Sequence, residues 1–324
     1  MPPQNNNNNN EFEEFPSPPR EKNIDRRKLI GTPHPAVVPF TSAPPYLKFN
    51  PYITNGYRKN VDRFHSCVKS AFSWNNETIN IWTHFVGWAV FFGLTVGELF
   101  SGGGGAEWGI RLSVLVCFQA CMLLSSCYHT FCCCSDKSYH RWLRADLLGV
   151  SLSLLGIYLS GIYFAYKCDQ FWLKFYTFTV LAILLIALAA QLIPADSEGG
   201  FQWRLFLFGA WAAYGVIPTV QWVWMRGSGG NFEYLGKLVH FLVFNGSHDD
   251  LDQEVKHLLP RIITMYLISS LAFGFYVSKF PERLYPGKFN YILSSHNIWH
   301  ILIFTALYYW YQFVVMETDI SCSI

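Results

Sequence analysis

Ser125 with His129, Asp146, and His296 with His300 stand inside apolar stretches of this chain. Ionisable side chains are costly to hold at bilayer depth, so those within a spanning segment mark a functional site. A spacing of four residues puts Ser125 and His129 on one helix face, one turn apart, and does the same for His296 and His300. Three neutral imidazoles and one water complete a tetrahedral, open zinc site, with Zn–N distances of roughly 2.0–2.1 Å. Zinc lowers the pKa of its water to about 7, which makes a hydroxide nucleophile available. Asp146 can bind that water, accept its proton or orient a histidine from outside. Ser125 can donate to a developing oxyanion. A lone histidine on an apolar face is ordinarily a packing residue, and HxxxH without a zincin glutamate specifies no protease. The joint arrangement of these residues, more than any one of them, points to a metal centre.

For these groups to meet, the helices that carry them must lie side by side. Hydrophobic residues make up 51% of the chain and charged residues 14%, against about a quarter charged in soluble domains. Apolar runs at 81–100, 109–131, 145–166, 172–193, 203–225, 261–280 and 292–316 each reach the roughly twenty residues a spanning helix needs. The fold class is an all-α membrane protein, a seven-transmembrane helix bundle over 81–316, in contact with membrane lipids. Trp82, Trp108, Trp142, Trp172 and Trp203 lie near span ends, as interfacial aromatics do. Residues 1–44, with Asn5 to Asn10 and then Pro16, Pro18 and Pro19, read as a disordered tail. No apolar h-region of a signal peptide precedes the spans. Residues 45–80 form a juxtamembrane segment and 317–324 a short tail. A net charge of +2 and the lack of any readout motif give no nucleic-acid partner.

Lys and Arg are dense before the first span, from Arg20 to Lys69. They recur in the second connection (Lys137, Arg141, Arg144) and around the sixth (Lys279, Arg283, Lys288). The positive-inside rule then predicts a cytosolic N-terminus and a lumenal or extracellular C-terminus. The fifth connection, 226–260, opposes this with Arg226, Lys237 and Lys256, but long loops translocate with less regard to charge. Its apolar run Leu235–Phe244 is too short to span and reads as an interfacial or re-entrant helix. Alternating crossings bring His129, Asp146, His296 and His300 to one depth on the cytosolic side. Asn80 and His84, after Glu77, read as groups that cap the first spanning helix and tie it to the bundle. Pro281-Glu-Arg283 and Pro286-Gly287 form a tight turn that sets the register of the last helix. The nine cysteines fit neither a zinc finger nor a secreted disulfide framework. Cys117, Cys121 and Cys127 read as packing residues, while Cys132–Cys134 at the membrane edge are open to palmitoylation or remain plain thiols.

Asn76-Glu-Thr-Ile-Asn80-Ile-Trp-Thr-His84, Ser125-xxx-His129, Asp146 in Ala-Asp-Leu-Leu-Gly, Pro281-Glu-Arg-Leu-Tyr-Pro-Gly-Lys-Phe289 and Ser294-Ser-His296-Asn-Ile-Trp-His300 occur in order over residues 45–316. This set resembles the progestin and adipoQ receptor family. The resemblance implies seven helices, a cytosolic N-terminus and zinc on His129, His296 and His300, with Asp146 positioning the zinc-bound water. It also implies kinship with intramembrane hydrolases that include alkaline ceramidases. Asn50-Pro-Tyr-Ile-Thr-Asn-Gly-Tyr57 and Gly215-Val-Ile-Pro-Thr219 with Trp222 and Trp224 resemble one branch of the family. That branch implies a Golgi-resident regulator that tethers a Raf-type kinase through its N-terminal segment and restrains MAP-kinase signalling. Two other functions stand beside it. One is a zinc-dependent lipid amide hydrolase acting on sphingolipids, with Asp146 and Ser125 catalytic. The other is a seven-helix receptor without G-protein coupling, for which the plasma membrane is the alternative location. Residues 231–250 look like an insertion relative to the family.

Overall fold

Among the described residues, seven helices are long and apolar enough to cross a membrane, one for each run expected from hydropathy. The computed structural model describes residues 37–59, 63–191, 200–227, 232–244 and 252–316. In chain order its elements begin with β1 (Val37–Val38), β2 (Tyr57–Arg58) and α1 (Phe64–Ala71). The helices α2 (Thr78–Phe100), α3 (Gly105–Phe131), α4 (Asp136–Tyr166) and α5 (Gln170–Ala190) follow. The chain continues through α6 (Gly200–Tyr214), α7 (Val216–Arg226), α8 (Phe232–Phe244), α9 (Gln253–Ser278) and α10 (Ser295–Met316). The short α8 matches the non-spanning helix expected in the fifth connection.

Two spans begin well before their apolar runs, because a capped, charged turn precedes each. Ser135 accepts a hydrogen bond from Ser138 N at 3.1 Å and starts α4 nine residues ahead of position 145. The added turns expose Arg141 and Arg144. Asp252 accepts from Glu254 N at 2.8 Å and Val255 N at 3.3 Å and starts α9 the same way. The fifth span, Phe206–Arg226, is broken at Gly215, where a Cβ would run into the Tyr158 and Tyr266 side chains. Tyr158 Oη donates there to the Trp211 carbonyl at 2.6 Å. Bundle neighbours can satisfy backbone groups freed by such a break.

The predicted tail over 1–44 is corrected at its C-terminal end. Val37 pairs with Arg58 and Val38 with Tyr57, antiparallel. Leu47, Ile53 and Tyr57 then bury against Cys67, Phe131 and Cys133. These apolar residues repay the ordering entropy that the polar tract could not; residues 1–36 lie outside the described set. The cysteine expectation changes too. Cys132 and Cys133 are buried, which closes them to acylation, and Cys67 is bonded to Cys134.

The core runs through the bundle from Phe91 and Phe118 to Trp222 and Trp310. α3 packs against α1, α2, α4 and α10. Its approach to α4 is close because Gly149 faces the Cys121 backbone, where a Cβ would lie 2.9 Å from Cys121 Cα. Small residues permit such contacts between helices in lipid. Gly149 lies one turn past Asp146, so the close contact holds Asp146 against α3 near Ser125.

Candidate metal centre

His129 lies in the last turn of α3, and His296 and His300 lie in the first turns of α10. Their rings converge. His296 Nε2 is 3.4 Å from His129 Nε2 and 3.3 Å from His300 Nε2. One donor atom from each falls within 4.8 Å of the others, so the three can hold a metal ion. His129 and His300 are 2% and 1% exposed. His296 is half-buried, with the rings of Phe49 and Tyr276 against it.

Each ligand helix is fixed from outside the imidazoles. Glu77, the residue before α2, takes a 2.7 Å hydrogen bond from His129 Nδ1 and one of 2.8 Å from Asn80 Nδ2. A proton on Nδ1 leaves the Nε2 lone pair free to coordinate. Burial alone would raise the Glu77 carboxyl, but the bond from His129 Nδ1, with Asn80 and Arg58, brings it down to about 2. Asn80 Oδ1 in turn accepts from Asn297 Nδ2 at 2.7 Å, which locks α2 to α10 inside the site. At the start of α10, Ser294 N donates to Asn297 Oδ1 at 3.2 Å and Asn297 N to Ser294 Oγ at 3.3 Å, a reciprocal cap. Glu282, wholly buried, accepts from Ser295 N at 2.7 Å, from Ser295 Oγ, and from Asn50 Nδ2 at 3.0 Å. A carboxylate at a helix N-terminus also suits the macrodipole. The turn read from Pro281 to Gly287 thus sets α10 through its acid.

The C-terminal end of α3 is held by Arg58. Its guanidinium, buried with the rest of the residue, donates to the carbonyls of His129 and Thr130, the latter at 3.1 Å, and to Ser70 Oγ at 3.0 Å. These carbonyls are among the four a helix end leaves without intrahelical partners.

The remaining expected residues fall around this centre. Ser125 is buried on α3, and its hydroxyl meets the half-buried Asp146 carboxyl from α4. His84 stacks on His300, with 3.8 Å between ring centroids. Glu77, expected only to precede the capping groups Asn80 and His84, makes no cap bond to α2 and serves His129 instead. The available signal was an acid at the depth of His129 next to a span start. Arg58 had no local signal at all.

Glu77→Gln is expected to weaken metal binding 10–100-fold, the usual cost of losing an outer partner of a ligand histidine. Chelator competition on the purified protein reads this directly. Unchanged affinity would remove Glu77 from the orienting role.

The sequence pattern of the Haemolysin-III related family matches residues 72–248 and 232–311. Over 283 residues the chain is 40% identical to "Progestin and adipoQ receptor family member 3" of Homo sapiens, spanning 85% of this chain and 84% of that protein. It is 26% identical over 296 residues to "Heptahelical transmembrane protein 1" of Arabidopsis thaliana, spanning 88% and 79%. To the "Adiponectin receptor protein" of Drosophila melanogaster it is 25% identical over 281 residues, spanning 84% and 57%.

Proposed function

We propose, for a chain that belongs to the progestin and adipoQ receptor family of Haemolysin-III related proteins, that His129, His296 and His300 hold one zinc ion. That ion fastens α3 to α10 in a Golgi membrane protein, which tethers a Raf-type kinase and restrains MAP-kinase signalling. The observation that supports the zinc is an edge length. Nitrogen donors at ~2.0–2.1 Å from a tetrahedral zinc stand ~3.3–3.4 Å apart, and the two Nε2 separations are 3.4 and 3.3 Å. Imidazole donors and a carboxylate behind His129 are the chemistry such an ion takes.

The place of the three imidazoles at the end of α3 and the start of α10 supports a fastening role for the metal. The kinase then meets the N-terminal segment, whose exposed positions include Thr41, Ser42 and Pro45. Residues 50–58 are built into the fold, so point substitutions test this surface better than a deletion. Glutamate at Thr41, Ser42 and Pro45 together is expected to abolish kinase co-localisation with the membrane, while Asp146→Asn leaves it intact. Recruitment that survives the triple substitution but fails in Asp146→Asn would reverse the ranking of tether over enzyme.

The Ser125–Asp146 pair supports a second reading, hydrolysis of a lipid amide such as a sphingolipid. His129, His296 and His300 would hold a zinc ion that, when bound, would supply Lewis acidity toward an amide carbonyl and lower the pKa of its water to about 7. The Asp146 carboxylate takes up the proton released on attack, and Ser125 Oγ donates to the oxyanion. Asp146→Asn is then expected to keep its metal and lose ~100-fold or more in ceramide hydrolysis, the scale of general-base loss. Metal-loaded wild-type protein with no hydrolysis above the Asp146→Asn background would eliminate this reading.

A cytosolic N-terminus is part of the proposal. It puts the sequon at Asn245, outside the described residues, on the lumenal side and the one at Asn76 in the cytosol. Glycan mapping in cells is expected to find Asn76 unmodified. A glycan on Asn76 would invert the orientation.

A further inference from the structure

A second group of metal-ligating side chains lies one turn beyond His129. Cys133 and Cys134 sit in the turn after α3, and Cys67 lies in α1. Their three Sγ atoms fall within 4.8 Å of one another. Cys67 and Cys133 are 0% and 2% exposed. No sequence motif links them, because docking of α1 on α3 assembles the trio. Cys67 is bonded to Cys134 with their Cα atoms 6.5 Å apart, near the wide end of the ~4.4–6.8 Å range for disulfides. Cys133 Sγ stands 4.0 Å from Cys67 Sγ.

We propose that, when the thiols are reduced, Cys67, Cys133 and Cys134 form a second metal site, a three-thiolate seat for a soft cation, zinc(II) or copper(I). Thiolate donors select these ions over harder ones. Sulfur ligands at ~2.3 Å from a tetrahedral centre stand ~3.8 Å apart, close to the Cys67–Cys133 separation. The charge that three thiolates bring is partly offset by Arg58. The Arg58 guanidinium lies 3.6 Å from Cys132 Sγ and acts on Cys133 as well. Burial raises the Cys133 thiol against the pull of Arg58, so that thiol is held protonated and neutral in the absence of a cation. A bound cation deprotonates coordinating thiols outright, and binding releases their protons. Cys132 points its Sγ at the His129 carbonyl, 3.6 Å away, and is left out of the trio. A Cys67–Cys134 disulfide removes two of the three donors, so the bond and the cation exclude each other.

The site is independent of the histidine centre, and its test separates the two. Full-length protein in detergent, stripped of metal and reduced with a phosphine, is titrated with cobalt(II) as the zinc surrogate and, separately, with copper(I) against a cuprous chelator. One expected outcome is a sulfur-to-cobalt charge-transfer band that zinc displaces; the other is copper(I) retained against the chelator, and the arm that responds names the cation. In Cys67→Ser and in Cys133→Ser that signal is expected to be lost, while His300→Ala keeps it. Retention of the imidazole-bound cobalt spectrum in the cysteine variants shows that they are folded. Cys134→Ser, at the most exposed of the three positions, gives a further variant if either of the others fails to fold. No sulfur-based signal in either arm, with thiols confirmed reduced, overturns the proposal, and so does a signal that persists in Cys133→Ser.

Discussion

The His300→Ala protein is expected to emerge from purification with less than about a tenth of the wild-type zinc, a loss beyond the tenfold that an outer partner alone costs. Two imidazoles would remain, short of the three protein ligands an open zinc site uses. His300 is 1% exposed and its Nε2 is 3.3 Å from that of His296, so its imidazole sits in the packed interior of the site. The same substitution removes the ring stacked on His84 and leaves a void, which lowers stability as well. His300→Gln fills most of that void without supplying an imidazole. Zinc analysis of both variants separates ligand loss from packing loss. Full zinc in a folded His300→Gln protein would sink the three-histidine assignment.

The second large effect belongs to Arg58. Arg58→Met keeps much of the stem volume and removes the guanidinium. Two buried carbonyls at the end of α3, those of His129 and Thr130, lose their donor. Each carbonyl that loses its charged donor costs ~1–3 kcal/mol, so the expected destabilisation is roughly 2–6 kcal/mol. Thermal unfolding in detergent is expected to move down by many degrees, and the metal centre to loosen with it because His129 is the residue whose carbonyl is released. A variant that unfolds within experimental error of wild type would show that water replaces the guanidinium without loss.

The spans could be read from sequence because each is an apolar run of bilayer length, a signal that needs no partner. The early starts of α4 and α9 could not, since Ser135 and Asp252 cap turns whose charges look like loop. The convergence of His129, His296 and His300 could be anticipated because spacing gives the face and alternation of crossings gives the depth. What lay behind those rings was hidden. Glu77 sits where a capping acid sits, and only the packed bundle turns its carboxylate toward His129. Arg58 meets a carbonyl 71 positions away, and a two-residue pairing such as Val37–Val38 with Tyr57–Arg58 carries too little periodicity to be seen. The cysteine trio is likewise a product of tertiary docking.

Residues 50–58 grip both helices that carry the imidazoles. Asn50 holds Glu282, which holds the start of α10, and Arg58 holds the end of α3. Any shift of that stretch therefore changes the spacing of His129 from His296 and His300. Thermodynamic reciprocity follows: a partner that binds the stretch more tightly in the metal-bound geometry must raise the affinity for the metal by the same factor by which the metal raises affinity for the partner. Metal supply and occupancy of the N-terminal surface are in that case two ends of one equilibrium.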